Sequence, residues 1–266
     1  FDGPMRMRQA LAKSKNMVSI RILQSIGPRY AQDYITRFGF DEDKHPAYLT
    51  MALGAGSVTP WQMAGAYSVF ANGGYRIEPY VVARITDANG KLLAQAKPLK
   101  AGDENNRAID GRNAFIMDSL LRGVVRNGTA AKAMALKRTD LAGKTGTTND
   151  SHDAWFAGYS PRITAVTWVG FDQPHKLGER ETGGGLALPI WMAYMARALA
   201  GVPEQPVVMP EGVVDVGGEF YFAETRPGQG VSSVGLSDER PASGEAPADA
   251  ESPLAPRGEE AAPGQR

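Results

Sequence analysis

Two hydrophobic rhythms divide the chain. Between Met5 and Ile26 apolar residues stand at helical spacing, Met5, Met7 and Leu11 in one stretch and Val18, Ile22, Leu23 and Ile26 in the next, ending at Gly27. The pattern predicts helix, turn, helix, with Ser14-Lys15-Asn16 at the break. A further helix, Arg29 to Phe38, puts Tyr30, Tyr34, Ile35 and Phe38 on one side and stops at Gly39 as a glycine past a helix end does. The clearest start signal follows. Thr59 stands at an N-cap, Pro60 at the first helical position and Gln62 closes a T-x-x-Q capping box, with Val58 placed to staple onto Met63. That helix should end at Asn72-Gly73-Gly74, and another, capped by Asp110, should run to about Val125 and stop at Asn127-Gly128.

Strand patterning begins with Tyr80 to Ile85 and Lys91 to Ala96, which flank Asp87-Ala88-Asn89-Gly90 and predict a surface β-hairpin. After Gly128 the period changes: Lys144 to Thr148, Ala154 to Ser160 and Ile163 to Phe171 are short segments rich in Thr, Val and aromatics, which predict an antiparallel meander. Gly183-Gly184-Gly185 predicts a mobile loop bordering a cleft, and Pro189 to Leu199 an apolar helix ended by Gly201 and Pro203. The elements together give an α+β fold, an antiparallel sheet flanked by helices, over residues 1–203, with a C-terminal extension over 204–225. From Arg226 onward Pro, Gly, Ala, Ser and acidic residues replace almost every large apolar residue, so 226–266 is predicted to be a disordered tail.

Composition removes several classes of function. The 266 residues carry 29 basic and 29 acidic side chains, a formal net charge of zero, which excludes a strongly basic nucleic-acid binder. There is no cysteine, so disulfides, thiolate nucleophiles and Cys-ligated metals are out. His45, His152 and His175 lie beside Pro46, Asp153 and Pro174 without metal-ligand spacing, and the glycine triplet lacks the Lys-Ser/Thr of a phosphate loop; neither a metal nor a cofactor is predicted. No apolar run approaches the length of a membrane span. The first residue is Phe1, with no leader-like segment behind it, so the chain is expected to start inside a longer open reading frame.

The chemistry concentrates in two short motifs. Lys144-Thr145-Gly146, followed by Thr147 and Thr148, offers a cation, hydroxyls and a glycine that lets a ligand backbone approach a strand edge. Such an edge can hydrogen-bond an extended peptide while the cation and hydroxyls hold a terminal carboxylate. The triplet alone is expected by chance in roughly one chain in twenty of this length, so a solvated edge strand, its acidic neighbours Asp150 and Asp153 pairing with Lys144, is the plain alternative. Ser14-Lys15-Asn16 has its own plain reading, a helix cap; the functional one is a hydroxyl for proton relay and an amide that binds a substrate backbone.

Read in order, S-x-N at a helix junction, K-T-G-T-T-N-D on a strand and Asp153-Ala154-Trp155-Phe156-Ala157-Gly158-Tyr159 on the next resemble a class A penicillin-binding protein in the C-terminal part of its transpeptidase domain. The likeness takes in Ala52-Leu53-Gly54, Thr59-Pro60, Phe70-Ala71-Asn72-Gly73-Gly74, Arg126-Asn127-Gly128-Thr129-Ala130 and Ala142-Gly143, over about residues 3–210. It implies a β-lactamase/transpeptidase-like fold and a serine acyl-transfer site. Ser14 would relay protons, Asn16 would bind the donor peptide and Lys144 would sustain the positive field and assist proton transfer. Thr145 and Thr147 would bind the terminal carboxylate beside Gly146 and Thr148, with the Thr147 N–H as one oxyanion donor. Trp155 would pack in the sheet or at its rim.

The implied partners are peptidoglycan stem peptides ending in D-Ala-D-Ala, β-lactams and cell-wall synthesis accessory proteins, at the periplasmic face of the inner membrane. The departure from the pattern is large: no S-x-x-K occurs between Phe1 and Arg266, so the nucleophile and its lysine base are missing. Thr129-Ala130-Ala131-Lys132 has the spacing with Thr for Ser, but the resemblance places it in a structural G-T-A-A segment. The expectation is therefore a fragment, without the glycosyltransferase domain, the membrane anchor and the first strands of the fold, and with a sheet edge left uncovered. Rival readings are a D,D-carboxypeptidase or β-lactamase, which uses water as acceptor, and a noncatalytic peptidoglycan-binding scaffold.

Overall fold

The computed structural model describes residues 2–179 and 181–229, so all but 226–229 of the expected tail lies outside the described residues. The predicted break separates α1 (Met7–Ala12) from α2 (Asn16–Ile26), and α3 (Pro28–Ile35) tightens into a 3-10 turn that closes on left-handed Gly39. In α4 (Pro60–Ala71) the capping box is complete: the Gln62 N–H donates to the Thr59 hydroxyl oxygen at 3.1 Å, and the Thr59 N–H to Gln62 Oε1 at 3.0 Å. The surface hairpin is shorter than predicted, β1 (Arg84–Thr86) and β2 (Leu92–Gln95), with every strand residue exposed. Without a buried face, only the residues nearest its turn keep strand pairing.

Asp110 caps α5 (Gly111–Asn127), its carboxylate accepting from the Arg112 N–H. The meander follows as β3 (Ala142–Thr147), β4 (Ala154–Tyr159) and β5 (Thr164–Val169), all antiparallel in the order β3-β4-β5. β3 starts two residues before the sequence signal because Ala142 and Gly143 pair with Tyr159 and Gly158. The paired glycines give no hydrophobic pattern, yet they are needed. A Cβ on Gly143 would stand 2.7 Å from the Phe156 ring, and one on Gly158 3.0 Å from Trp191.

The two-residue period of the strands sorts the helices onto the two faces. Ala142 and Tyr159 pack with Tyr67 and Phe70 of α4 and Leu121 of α5. Ala154 and Phe156, on the opposite face, pack with Leu188, Trp191 and Met195 of α6 (Leu188–Ala198). Phe156 and Trp191 meet edge to face with centroids 4.9 Å apart, and the Trp191 indole N–H donates to the Ala165 carbonyl at 3.0 Å. The expected α+β architecture with helices on both sides of an antiparallel sheet is what these contacts form. By the same alternation Lys144 shares the face of Ala142, while Thr145 and Thr147 share that of Phe156. β3 and β5 each pair with β4 alone among the described residues, so β3 keeps a free outer edge.

The extension holds a second hairpin that the sequence reading did not contain, β6 (Val213–Val216) and β7 (Glu219–Phe222). It is docked rather than loose: Glu219 accepts from Arg8 of α1 at 2.9 Å, and Phe220 meets Phe115 of α5 at 5.0 Å. Among the described residues no helix is long and apolar enough to cross a membrane.

Trp191, with no exposed surface, closes the core under the strands that carry the site. Trp191→Ala should lower the unfolding free energy by about 3–5 kcal/mol, measured by urea denaturation; a loss under about 1 kcal/mol would show that the sheet does not depend on this packing.

Candidate active site

Between α1 and α2 the chain reverses through Ser14, which holds φ 52°, a left-handed conformation that costs a non-glycine residue about 1–2 kcal/mol. Neither Ser14 nor Asn16 caps α2: the N-cap is Lys15, and among the described residues no side chain caps the free amides. The helix-cap reading of this motif therefore fails. The strained turn instead presents the Ser14 hydroxyl to β3, where Lys144 Nζ donates to Ser14 Oγ at 2.8 Å across 130 positions of sequence, and also to the Thr145 carbonyl at 2.9 Å. Asn16 opens the first turn of α2 with an exposed side chain that makes no hydrogen bond among the described residues.

Asp150 and Asp153 do not pair with Lys144 among the described residues. Asp153 accepts from the Trp168 indole at 2.8 Å, while the β3–β4 connection turns through left-handed Asp150 and Ser151. The ammonium is thus partly buried without a carboxylate, and burial lowers its pKa from 10.5 to about 8.

The outward groups of β3 follow from its pairing. The Thr148 N–H donates to the Asp153 carbonyl, so residue 148 bonds toward β4 and, by antiparallel alternation, the backbone groups of Thr147 and Thr145 face the free edge. Thr148 itself closes the connection, its hydroxyl oxygen accepting from the Asp153 N–H at 2.7 Å, and so stands apart from the hydroxyls of Thr145 and Thr147. Gly146 faces Trp155, where a Cβ would come within 3.1 Å of the tryptophan Cβ. Trp155 in turn packs on Trp168 with centroids 6.0 Å apart, a sheet position as expected.

The mobile loop predicted at Gly183–Gly185 is instead a π-helical turn, Gly183–Ala187, capped by Thr182 and docked on β3 and β4. Its lead residue is buried. A Cβ on Gly183 would lie 2.3 Å from the Trp155 carbonyl oxygen and 2.4 Å from that of Gly146, so glycine here serves close packing against the strands. The Gly183 N–H donates to Thr147 Oγ1 at 3.0 Å. A second contact was also missed from sequence: Thr129 Oγ1 lies 2.7 Å from Thr145 Oγ1. Its segment, adjacent to K-T-G in the likeness, was the one available signal.

S-x-N and K-T-G, brought together here through one lysine, are motifs of penicillin-binding proteins and class A β-lactamases. The sequence profile described as the penicillin binding protein transpeptidase domain matches residues 1–196, and the chain belongs to this family. It is similar to penicillin-binding protein 1A of Neisseria gonorrhoeae, 52% identical over 89% of this chain and 30% of that protein. Penicillin-binding protein 1A of Pseudomonas aeruginosa is 45% identical over 81% of this chain and 32% of its own length. Among solved structures, penicillin-binding protein 1A from Haemophilus influenzae superposes with a TM-score of 0.79 at 36% identity, over 85% of this chain and 41% of that one. PonA1 from Mycobacterium tuberculosis in complex with penicillin V does so at 0.66 and 28% identity, over 80% and 60%. The chain thus spans about a third of the length of the curated relatives it matches.

The lowered pKa of Lys144 has a thermodynamic sign. Between about pH 8 and 10.5 the unfolded chain holds a proton that the folded one has released, so stability should rise with pH across that window. Chemical denaturation at pH 8 and 10 should show the rise in the wild type and its loss in Lys144→Met; an equal rise in both would place it on another group.

Proposed function

We propose that these residues are the donor side of a peptidoglycan D,D-transpeptidase, and that its serine nucleophile and lysine base lie outside the 266 residues. The observation that carries this reading is the Lys144–Ser14 hydrogen bond beside the free edge of β3. A stem peptide ending in D-Ala-D-Ala lies along that edge. Its terminal carboxylate is held by the Thr145 and Thr147 hydroxyls in the field of Lys144, and its backbone by the Asn16 amide.

The serine oxygen attacks the carbonyl between the two D-alanines, and the Thr147 N–H, already turned to the free edge, stabilises the developing oxyanion. Ser14, whose oxygen accepts from Lys144, is left with its own proton free and can pass protons between the nucleophile and the leaving amine. The C–N bond breaks, the terminal D-alanine leaves with that proton, and an ester to serine remains. An amine of a neighbouring stem then attacks the ester, forms the cross-link and returns the serine hydroxyl. β-Lactams, which mimic the donor, form a stable ester at the same step. We place the working enzyme at the periplasmic face of the inner membrane, tethered by an upstream anchor and joined to a glycosyltransferase domain and accessory proteins.

The gene product expressed with its upstream coding sequence should be covalently labelled by a fluorescent penicillin, and Lys144→Ala should slow that labelling by about 100-fold, the order of a lost proton-transfer group. No label on the unsubstituted protein defeats the acyl-transfer reading. With a D-Ala-D-Ala donor, an added amine should divert product from hydrolysis to a new amide; hydrolysis alone identifies a carboxypeptidase.

A further inference from the structure

We propose that Thr129 is a positioning residue of the carboxylate subsite, one that fixes the Thr145 hydroxyl as a donor toward the substrate; this rests on the transpeptidase reading above and deepens it. Thr129 Oγ1 and Thr145 Oγ1 are 2.7 Å apart, and either can donate to the other. An arriving carboxylate decides between them. It has only acceptor oxygens, so Thr145 must turn its proton outward, and Thr129 must then donate to the lone pair of Thr145 from behind.

Thr147 is arranged the same way. An amide can only donate, so the Gly183 N–H occupies the Thr147 lone pair at 3.0 Å and leaves the Thr147 proton for the ligand. With Thr129 as donor, the two hydroxyls on one side of β3 would each have an oxygen engaged and a proton left for the ligand, a preorganisation suited to an anion.

The backbone of Thr129 is held firmly enough for this task. Its N–H donates to the carbonyl of Ala12, the last residue of α1, at 3.0 Å. On one side Gly128 leaves no room, a Cβ there falling 2.3 Å from the Ala12 oxygen; on the other, a Cβ on Gly184 would lie 2.9 Å from the Thr129 carbonyl oxygen. Thr129 is therefore clamped between the helix end that leads to Ser14, the K-T-G strand and the π-turn, with its side chain exposed at the site.

The test compares acylation of the gene product, upstream sequence included, by benzylpenicillin and by its methyl ester, which lacks the anion. Thr129→Val should lower the acid-to-ester rate ratio by about tenfold, or about 1.4 kcal/mol, because the Thr145 hydroxyl then loses the neighbour that directs its proton to the anion. Thr129→Ser should restore it, and adding Thr129→Val to Thr145→Val should lower the ratio no further. Equal losses on acid and ester, an unchanged ratio, or additive effects in the double variant overturn the inference while leaving the transpeptidase reading intact. Absence of acylation in the unsubstituted protein overturns both. If the valine variant does not fold, Thr129→Ala removes the same hydroxyl without added bulk and is read by the same ratio.

Discussion

One ammonium group ties the molecule together. Lys144 lies on a sheet face otherwise packed by Ala142, Tyr159 and the apolar side chains of α4 and α5, and among the described residues its charge finds a hydroxyl and a carbonyl but no carboxylate. A partly buried cation without a counter-ion opposes folding, and the fold tolerates it because the packing around it is large. The left-handed turn at Ser14 adds a second local cost in the same few ångströms. Strain and unpaired charge in one place, held by a core that over-determines them, are how a scaffold keeps a reactive arrangement from relaxing.

Much of the supporting packing is made at glycines. Gly128 lets the segment after α5 touch the end of α1, Gly143 and Gly158 let two strands and Trp191 close on one another, and Gly183 lets a helical turn rest on β3 and β4. At each of these positions a single methyl group would stand under 3.0 Å from a neighbour. They bring backbone against backbone, and backbone supplies what the site needs: the Gly183 N–H for Thr147 and the Thr129 N–H bond that fixes that residue to α1. The places of both partners of the hydroxyl pair on β3, the Gly183 amide and the Thr129 side chain, thus depend on neighbouring residues that have no side chain.

This explains what could and could not be read in the sequence. Elements announced by side chains, or by one glycine at a helix end, were legible: the capping box at Thr59, the helix break at Ser14, the caps at Gly39 and Asp110, and the three strands with their alternation. Lys144, Ser14, Thr145 and Thr147 were legible as a set through the family likeness, and the structure does bring Lys144 to Ser14. Elements made of glycine or of long-range contact were not. The start of β3 at Ala142-Gly143 has no strand signal, and three consecutive glycines look like a flexible loop unless the carbonyls of Gly146 and Trp155 beneath them are known. The β6–β7 hairpin is held by Arg8, by Arg112 over the Phe222 ring and by Phe115, all more than 100 residues away, and its own short strands carry little pattern.

The same distinction bears on the chemistry. A motif names which groups are present but not which way their protons point, and for an anion site the second matters as much as the first. Ser14, Thr145 and Thr147 each have a hydroxyl oxygen engaged by a neighbour, from Lys144, Thr129 and Gly183 respectively. Where that neighbour is the donor, the hydroxyl becomes a donor toward the cleft. An ammonium and an amide cannot accept, so for Ser14 and Thr147 the direction is fixed by chemistry alone. With the Thr129 donor proposed above, Thr145 joins them, and hydroxyls so directed beside one cation are what a carboxylate bound along the proposed strand edge would require.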